Sequence, residues 1–174
     1  MGVSRTLVLG GIRSGKTALA EQLAIESGDT VVYVATATVG DEEMARRVQR
    51  HAKNRPRHWR LAEEPLRLAR ALELCRGEVT PPYLLIDCMS LWVNNLLFAG
   101  EDIFRSEREA FLEGLWNYPS SIAIVSNEVG LGTIGMDPLT RRFCDELGWL
   151  NQALATTCDR VVLSFAGLPL WLRE

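Results

Sequence analysis

Residues Gly10, Gly11, Ile12, Arg13, Ser14, Gly15, Lys16 and Thr17 fit the spacing glycine, any four residues, glycine, lysine, then serine or threonine. Glycine at both ends lets the backbone curl so that its N–H groups point at phosphate oxygens. A helix starting there adds a dipole that favours anions. Lys16 is then expected to reach the β and γ phosphates, and the Thr17 hydroxyl to ligate magnesium. Further on, Asp87 ends the apolar run Pro82–Cys88. A buried strand ending in an acid is the second half of a phosphate-loop site, where the acid holds magnesium directly or through water. The plainer reading is a helix-capping aspartate, and the loop upstream favours the metal role.

The chain has two histidines, His51 and His58. A neutral imidazole is a competent nucleophile near neutral pH, since an unperturbed histidine titrates near ~6.5. Met44, Val48 and His51 are spaced i, i+4, i+7 and share one helical face, with Arg47 and Arg55 bordering it. Arg46, Arg50 and Lys53 lie further round. By spacing alone the favoured reading is a packed or surface histidine beside a solvated basic face. Arg55, Pro56, Arg57, His58 and Trp59 follow, then Arg60 and Glu63. This stretch has the side chains to grip phosphate and stack a base. It reads equally as a basic loop pinned by a buried tryptophan.

The elements that must position these residues alternate in type. Thr6–Leu9 reads as a short buried strand and Ala18–Ser27 as the helix after the loop. Thr30–Ala35 is continuous and β-branched, as suits a strand buried on both faces of a parallel sheet. Thr36, Ala37 and Thr38 follow at its carboxyl end, where open α/β sheets bind ligands, or form a plain polar turn. Asp41 is the expected N-cap of a helix that stops before Pro56. Glu64–Arg76 reads as an amphipathic helix ending at Gly77, Ser90–Ala99 as a buried helix, and Asp102–Trp116 as an acidic amphipathic one. Ser121–Ser126 is the fourth expected strand, closed by Asn127–Gly132. Pro138–Thr157 is a long helix with a possible break at Gly148. Arg160–Phe165 is the fifth strand, and Leu168–Leu172 a short sixth strand or an apolar tail. Strands alternating with helices predict an α/β phosphate-loop fold, a mainly parallel sheet wrapped by helices. We expect residues 1–174 to form a single domain.

Composition narrows the class further. Of the 174 residues, 47% are hydrophobic and 24% charged, with a formal net charge of -3. No global basic field points to nucleic acid. The four cysteines show no C-x-x-C spacing, so neither a zinc site nor a disulfide framework is expected. No apolar run reaches membrane-spanning length, and with the N-terminus running straight into the first strand no signal peptide is expected. A soluble cytoplasmic protein is the expectation.

Read in order, the motifs GGIRSGKT, YVATAT, DEEMARRVQRHAKNRPRHWR, LLIDCMSLWVNNLLF, SNEVGLG, LNQALA and AGLPLWL carry a resemblance over nearly the whole chain. They resemble the bifunctional adenosylcobinamide kinase/adenosylcobinamide-phosphate guanylyltransferase family of cobalamin assembly. The block from Gln49 to Trp59 and the stretch Asn127–Gly132 are its most specific parts. The resemblance implies phosphorylation of a hydroxyl on the aminopropanol arm of adenosylcobinamide. Transfer of GMP from GTP onto that phosphate then passes through a GMP–histidine intermediate. By position the intermediate corresponds to His51, which reverses the spacing-only reading. The family's nucleotide contacts carry over to Gly10 through Thr17, to Thr36, Ala37 and Thr38, to Arg55, Pro56, Arg57 and His58, to Glu63 and to Asp87. The implied partners are adenosylcobinamide and its phosphate, with GTP and ATP as substrates, Mg2+ as cofactor and a homotrimer as working form. The chain departs from the family pattern downstream. Thr133–Asp137 replaces a turn that usually holds proline, Cys144–Asp145 stands for an arginine–aspartate pair, and Trp149 stands where arginine is common. These departures bear on the corrinoid contacts or on the efficiency of one of the two reactions, and leave the nucleotide half intact.

Two other functions compete. One is a single-activity small-molecule kinase in which His51 is only packed. The other is a non-catalytic GTP-binding regulator, although no separate effector or DNA-binding segment is recognisable.

Overall fold

The computed structural model describes residues 2–38, 55–132 and 135–174. His51 and the helix expected after Asp41 lie outside the described residues, as do Thr133 and Ile134. The described chain runs β1 (Arg5–Gly10), α1 (Lys16–Ser27), β2 (Val31–Ala35), β3 (Arg60–Glu63), α2 (Leu68–Arg76), β4 (Tyr83–Asp87), α3 (Met89–Ala99), α4 (Glu101–Trp116), β5 (Ile122–Asn127), α5 (Pro138–Thr157), β6 (Arg160–Phe165) and β7 (Leu168–Arg173).

Seven strands form one sheet in the order β3-β2-β4-β5-β1-β6-β7. All neighbours are parallel except β6 and β7. The continuous apolar strands follow from cover on both faces. Leu7, Leu9, Val32, Val34, Leu84, Ile86, Ile122 and Ile124 point one way, into a cluster with Leu72 of α2, Trp92 of α3, Phe111 of α4 and Leu150 of α5. The alternate residues Val8, Val31, Tyr33, Leu85, Ala123 and Val125 point the other way, against Ala20 and Ala24 of α1 and Trp59. Period two thus sends each strand's odd and even residues to different helices. Trp92 and Phe111 meet edge-on with centroids 5.0 Å apart, an arrangement worth about 0.5–1.5 kcal/mol beyond the area it buries.

From β1 the chain crosses through α1 to β2, three places away. From β5 it crosses through α5 to β6, on the other side of β1 and on the other face of the sheet. Between β1 and β5 the outgoing connections therefore diverge, and that divergence opens the crevice in which such sheets bind ligands.

Several elements differ from expectation. Arg60–Glu63 is a strand, parallel to β2 at the sheet edge. It escapes notice in the sequence because an edge strand needs no apolar run, and three of its four residues are exposed. The helix expected from Glu64 starts at Leu68. Pro65 and the Glu64 carboxylate, which accepts from the N–H groups of Leu66 and Arg67, make residues 64–67 a turn instead. The helix α3 is buried along one side only, with Phe98 exposed. Gly148 does not interrupt α5, which is continuous over its 20 residues and capped by Asp137 accepting from the Thr140 N–H. The terminal segment is a strand, closing an antiparallel hairpin with β6 through the two-residue turn Ala166–Gly167. Both turn residues have positive φ (51° and 81°), as a tight hairpin demands. Among the described residues no helix is long and apolar enough to cross a membrane.

Candidate nucleotide site

Register brings the site residues to one edge. Gly10 is level with Asn127 on β5 and with Ser164 on β6. Ala35 is level with Glu63 on β3 and with Asp87 on β4. All these positions are strand carboxyl ends, so the segments after them leave from one edge of the sheet.

The loop Gly11–Gly15 joins β1 to α1 and is held from two sides. Its Ser14 carbonyl accepts from the Gly167 N–H at 2.9 Å and from the Ser164 hydroxyl at 2.7 Å. On the other flank the Glu128 N–H donates to the Gly10 carbonyl at 3.1 Å. Gly15 has φ of 95°, a conformation costly for any residue with a Cβ. At Gly10 the constraint is space: a Cβ would lie 2.3 Å from Ser14 Oγ and 2.7 Å from the Ser164 carbonyl oxygen. The hydroxyl can rotate away, but the backbone carbonyl cannot. Gly10→Ala should therefore destabilise the fold by about 1–3 kcal/mol, the usual scale of overpacking. Urea titration measures this, and wild-type stability in that variant would show that the loop stands clear of β6.

Lys16 reaches back over the loop, its Nζ donating to the Gly11 carbonyl at 3.1 Å. Burial pulls its ammonium below the ordinary lysine range, against the opposing attraction of Cys88 and Asp87. Thr17, in the first turn of α1, donates from Oγ1 to Asp87 Oδ2 at 3.0 Å. This meeting follows from strand parity. Asp87 points to the same sheet face as Leu85, and that is the face α1 covers. Two hard oxygens about 3 Å apart match the cis edge of an octahedron with metal–oxygen distances near ~2.1 Å, so the pair fits magnesium.

The remaining expected residues divide. The Thr36 side chain is fully buried, and its Oγ1 both donates to the Cys88 carbonyl and accepts from the Cys88 N–H, each at 2.8 Å. It ties the ends of β2 and β4 together, while half-buried Ala37 and exposed Thr38 face outward. Trp59 is buried among the α1-side residues and so pins the loop before it. Arg57 and His58 are exposed there, and Pro56 accepts from the Trp59 N–H. Glu63 is exposed at the end of β3.

Sequence reasoning missed three supports. Tyr33, read only as a strand residue, donates to Asp87 Oδ2 at 2.8 Å. It is the one side chain in its strand with a polar tip, and that was the available signal. Asn151 of α5 accepts from Ser126 Oγ at 2.6 Å and donates to the Asn127 carbonyl at 3.0 Å, fixing the end of β5. The Ala166–Gly167 turn carried no signal of its contact with the loop, because that contact depends on β6 lying beside β1.

A glycine-framed loop between a buried strand and a helix, a lysine over it, and a strand-end acid on the helix threonine define an α/β phosphate-loop nucleotide-binding protein. Solved structures agree on the fold. The RadB recombinase aligns with a TM-score of 0.52 at 16% identity, covering 92% of this chain and 73% of that one. A type III secretion ATPase aligns at 0.55 and 14%, covering 92% and 50%. The family model described as cobinamide kinase / cobinamide phosphate guanyltransferase matches residues 6–172. The bifunctional adenosylcobalamin biosynthesis protein CobP of Pseudomonas aeruginosa is 51% identical over 171 residues, 97% of each chain. Its counterparts named CobU in Escherichia coli and Salmonella typhimurium are 34% and 38% identical, each covering 93% of this chain and 96% of the relative. The chain therefore belongs to the cobinamide kinase / cobinamide phosphate guanyltransferase family, enzymes of cobalamin biosynthesis that use nucleotide substrates.

Proposed function

We propose that this chain, as one domain, phosphorylates adenosylcobinamide and then transfers GMP from GTP to the new phosphate, giving adenosylcobinamide-GDP. The observation that carries the reading is the Thr17–Asp87 pair at 3.0 Å beneath the loop, in a chain that matches the family model over residues 6–172.

Both reactions need a triphosphate held with its charge neutralised. Backbone N–H groups of residues 11–16 and the Lys16 ammonium supply this for the β and γ phosphates. Magnesium held by Thr17 and Asp87 would add charge neutralisation on the same oxygens. In the kinase step the corrinoid hydroxyl lies in line with the γ phosphorus of ATP or GTP, and a loose transition state depends mainly on position and charge. In the guanylyl step the His51 imidazole nitrogen attacks the α phosphorus. A P–N bond forms, the bond from the α phosphorus to the bridging oxygen breaks, and pyrophosphate leaves with the electron pair. A phosphate oxygen of adenosylcobinamide phosphate then attacks the same phosphorus. The P–N bond breaks and the imidazole is returned neutral. One hard transfer becomes two easier ones. Arg55, Arg57 and His58 stand in this reading as contacts of the nucleotide, with Glu63, Ala37 and Thr38 around it. The working form is taken to be a cytoplasmic homotrimer.

Incubation with adenosylcobinamide, Mg2+ and either ATP or GTP, with products separated by chromatography, tests the pair of activities. Adenosylcobinamide phosphate should appear first, and adenosylcobinamide-GDP only when GTP is present. Phosphorylation that never proceeds to the GDP product would favour the single-activity kinase. GTP binding with no corrinoid product would favour a regulator.

A further inference from the structure

Tyr33 is the residue of β2 whose chemistry the strand does not need. Its neighbours Val31, Val32 and Val34 are aliphatic, and its ring packs with Trp59 and Leu85 on the face that α1 covers. It is only 6% exposed. Buried tyrosine hydroxyls need a partner, and a backbone carbonyl suffices, as for Tyr118 on the Pro82 carbonyl at 2.8 Å. Tyr33 instead reaches Asp87 Oδ2 at 2.8 Å, the oxygen that Thr17 also contacts.

The two donors are not equivalent. A hydroxyl that ligates a cation through a lone pair can still donate, so Thr17 serves both the cation and Asp87 with one oxygen. A carboxylate torsion is broad and roughly two-fold, so a second donor narrows it. Tyr33 has no such second task. Its hydroxyl lies 2.8 Å from a carboxylate oxygen that can only accept, so it is the donor.

The ring has a second contact. The Arg55 guanidinium lies over it, 4.6 Å from the centroid. Guanidinium groups stack favourably on aromatic faces at this range. Arg55 opens the Arg55–His58 segment read above as a nucleotide contact. One side chain thus touches the metal carboxylate with its hydroxyl and the first arginine of that segment with its ring.

We propose that Tyr33 is a positioning residue that couples the two halves of the nucleotide site: its hydroxyl sets the Asp87 carboxylate for the cation, and its ring seats Arg55. The proposal rests on the reading that Thr17 and Asp87 hold the nucleotide's magnesium.

The test uses the full chain and the variants Tyr33→Phe, Tyr33→Leu and Arg55→Gln. Mn2+ replaces Mg2+ as a paramagnetic probe, and its binding with a non-hydrolysable GTP analogue is followed by electron paramagnetic resonance. Nucleotide binding without metal is measured separately in EDTA. Tyr33→Phe keeps the ring, so it should keep wild-type nucleotide affinity in EDTA. Its Mn2+ affinity should fall by roughly 10–100-fold, the usual loss when a group orienting a metal ligand is removed. Tyr33→Leu should lose as much Mn2+ affinity and also bind metal-free nucleotide as weakly as Arg55→Gln. Joining those two changes should add little to either. Wild-type Mn2+ affinity in Tyr33→Phe would overturn the hydroxyl's role. Full EDTA affinity in Tyr33→Leu alongside a loss in Arg55→Gln would overturn the ring's. Wild-type protein that takes up no Mn2+ with the nucleotide overturns the premise and the proposal together. Wild-type protein that binds Mn2+ and nucleotide but forms no GMP adduct sinks the guanylyl-transfer reading alone, and the variants then decide Tyr33.

Discussion

Lys16→Ala should slow the kinase and the guanylyl transfer alike, by about 10²–10³-fold in kcat, the loss seen when one preorganised donor to developing charge is removed. In the proposed reading both reactions load a triphosphate on the same loop. The lysine carries the cationic side chain that reaches over that loop, with Nζ 3.1 Å from the Gly11 carbonyl. It is half-buried, in surroundings that strengthen electrostatic interactions relative to water. The variant should fold, because among the described residues that carbonyl contact is the one hydrogen bond the side chain makes. Lys16→Arg should recover little, since a planar fork does not replace a compact ammonium. Steady-state rates for each half-reaction measure the effect. Wild-type turnover in either one would separate the two activities onto different sites.

His51→Ala should divide the activities that Lys16→Ala joins. Guanylyl transfer should fall on the order of 10⁴–10⁶-fold, the scale on which a covalent nucleophile is lost. Phosphorylation of adenosylcobinamide should stay within a few-fold of wild type, because the kinase step assigns histidine no role. Rescue of the transfer by free imidazole would show that only the nucleophile was missing. A matching collapse of kinase activity in a folded variant would tie His51 to the shared cradle instead.

Local physics wrote the nucleotide half plainly into the sequence. The loop, the run ending in Asp87 and the β-branched second strand each depend on neighbours within a few residues, and the structure brings Thr17 and Asp87 together as expected. What stayed hidden depends on strand order. Tyr33 reaches Asp87 because β2 lies beside β4 in a register that sets Ala35 against Asp87. The Ala166–Gly167 turn reaches Ser14 because β6 lies beside β1. Neither adjacency has a local signature. Arg60–Glu63 was missed for the opposite reason, being an exposed edge strand whose pairing rests on backbone hydrogen bonds. The histidine is a third case. Helical spacing alone favours a packed residue at position 51, and only the family resemblance singles it out over His58.

The central claim is a GMP carried on His51, and isotope trapping tests it most directly. Wild-type protein is mixed with Mg2+ and GTP labelled at either the α or the γ phosphate, then denatured, and the retained label is mapped. The account predicts α label and no γ label on the protein, in a bond labile to acid and stable to alkali, as a phosphoramidate is. The label should be absent from His51→Ala and present in His58→Ala. Adduct that survives in His51→Ala and vanishes in His58→Ala, or no α label on wild-type protein at all, would contradict it.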